Sequence, residues 1–282
     1  MFYTGLSRGR TAEGIFLPGF QPKCLIANKR GQAEMERISR ESLIQCEHPR
    51  LDFFDHFPKR DWKYVSLQNI RSIQSHKDDV LADPIIMGSS IICFTETSLR
   101  SDIWPDRKNF QAFNIFQKNR SDAYDTVELQ QRKSGGVGLL SDKQFYTSQR
   151  KKDITTNLEI LSCKTNFPFT EKETYISVIY RDHKLPKHEF LKKMEEVFQA
   201  HENNAGLILG DFNFNMMEDD SLYRIAASYG FKPVVSSSTT HQDHLLDQVF
   251  ISVNMSEETY EVLVLPSYFS DHHLIVLCIR NT

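Results

Sequence analysis

The 282-residue sequence has no Cys-x-x-Cys pair, and its five cysteines are scattered and odd in number. That pattern argues against a disulfide scaffold and against a structural zinc site. No apolar run approaches the roughly 20 residues needed to cross a bilayer. The opening stretch MFYTGLSRGR lacks the apolar segment of a secretory signal. Internal repeats and low-complexity tracts are also missing. These absences read as a soluble protein of a reducing compartment with no membrane association. What is present is a composition able to bury a sizeable core: 40% hydrophobic and 25% charged residues, with 20 Phe and 10 Tyr. A disordered or collagen-like chain is excluded.

Net charge is only -3, but its distribution is uneven. Residues 1–60 hold ten Lys/Arg against seven Asp/Glu, and residues 100–150 hold nine against six. Residues 201–282 hold three against eleven. One reading is a solvated acidic surface. The other is carboxylates gathered for a divalent cation, with basic segments reaching a polyanion.

The pattern changes near residues 45–60, where CEHPRLDFFDHFPKRD mixes Pro, charge and aromatics without a period. Before it, residues 25–44 read as helix. After it, short apolar runs suited to buried strands occur at Tyr64–Leu67, Ile91–Thr95, Gly136–Leu140, Leu158–Cys163 and Tyr175–Tyr180. Further runs occur at Leu207–Leu209, Leu246–Ile251, Tyr260–Leu265 and Leu274–Ile279. A helix is expected over Lys187–His201, whose Phe190, Leu191, Met194, Val197 and Phe198 share one face. Many strands and few long helices predict an α/β architecture of two packed sheets with helices outside. A simple doubly wound sheet would need more crossover helices.

Polar residues cluster at the ends of these strands, where a rigid scaffold presents reactive groups. They are Asn69, Glu96, Tyr180, Asp211, Asn213, Asp247, Asp271 and His272. Singly, an Asp or Asn after a strand is a turn residue and a strand Tyr is core. The ordered combination is what matters. LQNIRS (67–72), FTETSL (94–99), GGVGLL (135–140), SVIYR (177–181), GDFN (210–213), LLDQVF (245–250) and SDHH (270–273) together resemble the endonuclease/exonuclease/phosphatase superfamily. That group includes deoxyribonuclease I, apurinic/apyrimidinic endonucleases and the endonuclease domains of LINE-type retrotransposons.

The resemblance implies a four-layer sandwich of two mixed β-sheets flanked by helices, spanning residues 62–282 after a linker at 45–61. It implies Mg²⁺, with Mn²⁺ as a substitute, because such a cation takes a few hard oxygen ligands. Glu96 is the implied principal ligand, helped by Asn69 and Asp271. Asp211 would orient or deprotonate the attacking water, and Asn213 would hold phosphate or nucleophile. His272 would donate to a phosphoryl oxygen, Asp247 would fix its tautomer, and Tyr180 would contact the scissile phosphate. Arg181, Arg71 and Thr240 are candidate nucleic-acid contacts, with Thr239 and His241 beside them. Further cationic candidates are Arg100, Arg107, Lys108, Arg132 and Lys133.

Two departures refine the resemblance. His273, Leu274 and Ile275 follow His272, where many members carry Pro two positions after that His. Arg71 stands where apurinic endonucleases carry an acidic residue, which leans toward the retrotransposon-type branch. His273 reads as a bystander.

The N-terminal stretch carries a separate likeness. YTGLSRGRTAEGIFL (3–17) and PGFQPKCLIANKRGQAEMERI (18–38) resemble the end of the helicase domain of Helitron rolling-circle transposon proteins. In that family Arg8 would be an arginine finger for ATP. No Gly-Lys pair occurs anywhere in the chain, so the phosphate-cradling loop that ATP hydrolysis requires is missing. Residues 1–44 therefore read as a helicase remnant without ATPase activity. The combined expectation is a DNA endonuclease of a Helitron-like element, acting on single-stranded or duplex DNA without a stable protein partner. A nuclear location would follow, with RKK (150–152) a weak import signal. The rival expectations are a phosphatase acting on small phosphoesters and a catalytically silent nucleic-acid binder.

Overall fold

The computed structural model describes residues 62–100, 104–125, 127–131, 134–150, 154–166, 174–202, 204–253 and 260–280. The helicase-like segment 1–44 with Arg8, the linker 45–61, Arg132, Lys133 and residues 151–152 lie outside them. Among the described residues no helix is long and apolar enough to cross a membrane.

The elements follow the order β1 (Trp62–Asn69), α1 (Ile73–Ala82), α2 (Pro84–Met87), β2 (Ile91–Thr95), β3 (Phe113–Lys118), α3 (Val127–Gln130), β4 (Val137–Asp142) and β5 (Thr147–Gln149). Next come β6 (Glu159–Thr165), β7 (Thr174–Tyr180), α4 (Lys187–His201), β8 (Ala205–Asp211), α5 (Ser221–Ser228), β9 (Phe231–Pro233), β10 (Asp247–Ser252), β11 (Tyr260–Leu265) and β12 (Leu274–Arg280). One six-stranded sheet has the order β11-β12-β1-β2-β4-β3, and the other β5-β6-β7-β8-β10-β9. Each sheet has one parallel pair, β1 with β2 and β7 with β8, and every other pairing is antiparallel. The sheets are therefore mixed, as the family resemblance implies.

Parallel neighbours need a crossover, and helices supply it. α1 and α2 connect β1 to β2, and α4 connects β7 to β8. Ser72 caps α1 by accepting from the Ser75 amide at 3.3 Å. Asp83 then ends α1 and caps α2, its Oδ1 accepting from the amides of Ile85 and Ile86 at 3.0 and 3.2 Å. Pro84 suits the first helical position because it has no amide to orphan.

The central strands are buried on both faces, so their sequences read as continuous apolar runs. In β2, Ile91 and Cys93 pack between the sheets, while Ile92 and Phe94 face outward with Ile73, Val80, Ile85 and Ile86 of α1 and α2. On the other outer face, Phe190, Met194, Val197 and Phe198 of α4 pack with Phe212 and Phe250. The four layers are thus helix, sheet, sheet, helix. Three strands absent from the apolar pattern (β3, β5 and β9) all lie at sheet edges. An edge strand has one neighbour and tolerates polar residues such as Asn114 and Gln117 of β3, and β5 and β9 have three residues each. α1 escapes the sequence reading because it buries only Ile73 and Val80.

Among the buried polar groups within this frame is a histidine of α4. His201, at the end of α4, is 2% exposed and its Nε2 lies 3.0 Å from Ser177 Oγ, which lies 2.7 Å from Ser162 Oγ. Burial, helped by the positive Arg150, pushes this imidazole down to about 4. The folded value is below the ordinary one, so the stability it protects is complete above about pH 6.5 and is lost as pH falls toward 4. Denaturant titrations should therefore show the wild type losing about 2–3 kcal/mol more than His201→Gln between pH 7.5 and 4.5.

Candidate active site

The two parallel pairs aim four strand carboxyl ends at one rim. Asn69 ends β1, Glu96 follows β2, Tyr180 ends β7 and Asp211 ends β8. Antiparallel neighbours bring their starts to the same rim. Asp247 opens β10 opposite Asp211, and His272 lies two residues before β12. Residues far apart along the chain therefore meet.

Asn69 is the joint. Its Nδ2 donates to Glu96 Oε1 at 3.0 Å and to Asp211 Oδ2 at 2.8 Å. Its Oδ1 accepts from the Arg71 amide at 3.1 Å. Asn69, expected as a metal ligand, is thus a strut between two carboxylates, its amide nitrogen facing them. His272 Nδ1 lies 2.7 Å from Asp247 Oδ2, and its Nε2 lies 4.0 Å from Asp211 Oδ2. Ser270 Oγ donates to Asn69 O at 2.8 Å and accepts from the His272 amide at 3.2 Å. Thr239 Oγ1 accepts from the Leu246 and Asp247 amides at 3.1 and 3.0 Å, which fixes the start of β10.

Several rim residues stand in the left-handed backbone region without being glycine: Arg71 (φ 57°), Glu96 (φ 51°), Ser98 (φ 53°) and Asn213 (φ 50°). Each such residue costs roughly 1 kcal/mol, and such strain collects where a site demands one side-chain direction. Arg181 secures Asn213. Its guanidinium Nη1 donates to Phe212 O at 3.3 Å and Asn213 O at 2.8 Å, its Nη2 donates to Leu185 O at 2.7 Å, and Asn213 Nδ2 donates back to Arg181 O at 2.8 Å. Arg181 is buried over the rings of Phe190 and Phe214. The expected phosphate contact is therefore spent on backbone carbonyls. Arg71 is exposed and pairs with Asp271 Oδ2 at 2.6 Å. Thr240 is buried, pairs its backbone with His272, and its hydroxyl accepts from the His244 amide at 3.2 Å.

The electrostatics are those of crowded carboxylates. Burial, together with Asp247 and Glu96, pushes Asp211 up to about 8. Burial alone would lower His272, yet Asp247, Asp211 and Asp271 push it up to about 10. Burial also raises the Tyr180 phenol, with Glu96 and Asp211 adding to the rise. A site this negative favours a cation, and its donor atoms fit one. Asp211, Asp247 and His272 each offer a ligand atom, all within 4.8 Å of one another. Asp247 Oδ1 and Asp271 Oδ1 are buried oxygens with no hydrogen-bond partner among the described residues. Oxygen-rich donors of this kind suit Mg²⁺.

The sequence profile of the endonuclease/exonuclease/phosphatase family matches residues 46–272. No curated protein sequence matches the chain. Among solved structures, the endonuclease domain of TRAS1, a telomere-specific non-LTR retrotransposon, is 15% identical, with a TM-score of 0.57 over 78% of this chain and 100% of that one. An AP endonuclease from Archaeoglobus fulgidus is 12% identical, with a TM-score of 0.56 over 78% of this chain and 100% of that one. A variant of the 3′ phosphatase NExo from Neisseria, bound to product DNA hairpin, is 12% identical, with a TM-score of 0.54 over 76% of this chain and 98% of that one.

Gly210 shows how tightly the backbone sets Asp211. A Cβ there would fall 1.8 Å from Ile179 O on the parallel neighbour β7. Gly210→Ala should cost at least about 3 kcal/mol in urea unfolding. Gly230→Ala, where a Cβ would meet only Val253 Cγ2 at 3.6 Å and the cost comes from φ +73°, should cost about 1 kcal/mol.

Proposed function

The chain belongs to the endonuclease/exonuclease/phosphatase family, and from that premise we propose that it is a Mg²⁺-dependent phosphodiester hydrolase that nicks DNA. The observation that carries this reading is the Asn69 amide bonded to both Glu96 and Asp211 beside the His272–Asp247 pair. Hydrolysis of a phosphodiester needs a base for water, a donor for the growing oxyanion and charge neutralisation.

Asp211, raised by burial and neighbouring carboxylates, is suited to orient water and take its proton. His272, held protonated by Asp247, is suited to donate to a phosphoryl oxygen. Asn213, fixed by Arg181, presents its side chain at the same rim. Tyr180 stands beside Asp211 in the register of β7 and β8 and is the candidate phosphate contact. Glu96 and the unpartnered Oδ1 of Asp271 are the candidate metal oxygens. A bound Mg²⁺, or Mn²⁺ in its place, would supply Lewis acidity toward the phosphate. DNA as the substrate draws support from the TRAS1 endonuclease domain and the Neisseria structure bound to a DNA hairpin. Origin in a Helitron-like element, and with it a nuclear location, draws support from the sequence at residues 3–17.

Supercoiled plasmid with Mg²⁺ should yield nicked circles, and a chelator should stop the reaction. Glu96→Gln, Asp211→Asn and His272→Gln should each slow nicking about 100-fold or more. Nicking that survives Glu96→Ala or Asp211→Ala rejects the site. Faster phosphate release from a phosphoinositide headgroup than cutting of plasmid would establish the phosphatase reading. Salt-sensitive DNA binding without cutting in either metal would establish the silent binder.

A further inference from the structure

A second charged cluster sits behind the rim, and none of the roles above uses it. Arg120 lies in the short turn after β3, Glu159 opens β6, and Asp182 lies two residues past the end of β7. Their side chains are 3%, 0% and 1% exposed. Arg120 Nε and Nη2 both lie 2.8 Å from Glu159 Oε1, and Nη1 lies 2.9 Å from Asp182 Oδ2. The guanidinium carbon stands 5.7 Å from the centre of the Tyr180 ring and 5.9 Å from that of Tyr124.

The cluster also reaches the Glu96 loop. Glu159 Oε2 accepts from the Gly136 amide. The carbonyls of Gly136 and Gly135 accept from the amides of Thr97 and Ser98 at 3.2 and 2.7 Å. A Cβ on Gly135 would fall 2.4 Å from Arg120 Nε, and one on Gly136 would fall 2.6 Å from Thr97 Oγ1. The glycine pair of GGVGLL thus lets this loop close on Arg120 and Thr97. Arg120 precedes β4 of one sheet, whereas Glu159, Tyr180 and Asp182 belong to the other. The charges therefore bridge the two sheets at the catalytic end.

A buried ion cluster is a poor device for stability, because desolvation offsets its attraction and well-packed apolar residues often do as well. Burial pushes Glu159 up to about 7 even though Arg120 and the Gly136 amide pull it down. What apolar residues cannot reproduce is direction. We propose that Arg120, with Glu159 and Asp182, is a positioning network for phosphodiester hydrolysis, holding Tyr180 of one sheet in register with the Glu96 loop of the other. This rests on the hydrolase reading above. Arg120 does not bind substrate phosphate, because its guanidinium is buried and committed to two carboxylates.

The test separates position from stability. Arg120→Lys keeps the charge and loses the Nε hydrogen bond to Glu159 together with the planar guanidinium. The triple variant Arg120→Met, Glu159→Leu, Asp182→Asn removes the buried charges and restores packing. In both variants the plasmid-nicking kcat should fall at least tenfold with KM changed less than threefold. Tb³⁺ affinity, read by luminescence with Glu96→Gln as the null control, should also fall at least tenfold. In the triple variant these losses should persist while the melting temperature returns to within a few degrees of wild type. Wild-type kcat or Tb³⁺ affinity in a folded triple variant overturns the proposal. If the wild type binds Tb³⁺ but cuts nothing, the nuclease reading fails, and the Tb³⁺ affinities alone uphold or overturn the network. A wild type that neither binds Tb³⁺ nor cuts overturns both.

Discussion

Two carboxylates held by one amide set the terms for the whole rim. Glu96 and Asp211 come from different sheets, and like charges so close repel unless something stands between them. The Asn69 side chain does so by donating to both. That arrangement survives only if β1, β2 and β8 keep their register, because a one-residue slip would turn each side chain to the opposite face. The continuous cores on both faces of those strands are what forbid the slip. Packing and chemistry are therefore one problem here. The hydrophobic layers fix where three polar side chains emerge, and the polar side chains tolerate no other placement.

The distribution of strain follows from the same demand. Glu96 and Asn213 leave their strands through left-handed backbone, and both are pinned by neighbours. Glu96 is held through Asn69 and through the loop hydrogen bonds to the glycine pair, and Asn213 through Arg181. The cost of each unfavourable turn is carried by contacts that also aim the side chain. The low identity to the solved relatives fits this division. A fold of this kind requires apolar strand runs that many sequences satisfy, whereas the site requires a few residues at strand ends.

The strand-end residues are legible because each adjoins a run of apolar residues that reads as a strand, and because their order along the chain resembles that of a known family. Lys187–His201 was legible for the same kind of reason, as its apolar face repeats at helical spacing. The edge strands were not, since β3 mixes Asn and Gln with its apolar residues and β5 and β9 are only three residues long. Nor was the charge cluster. Arg120 sits in Asn-Arg-Ser-Asp, which reads as any polar loop, and only Glu159, a lone charge inside the apolar run LEILSC, offered a signal. The amide direction of Asn69 and the carbonyl partners of Arg181 are invisible in one dimension, because a residue's type tells what it can bond and not which neighbour arrives.

Strand β1 is paired on one side with β12, Trp62 lying opposite Arg280. A nascent chain leaving a ribosome at about 5–20 residues per second would expose β1 for roughly ten seconds or more before that partner is made. During this interval one edge of β1 has no partner, although the hairpins and helices between can already form. Assembly of the rim therefore waits for the stretch that carries β12, because His272 lies two residues before that strand.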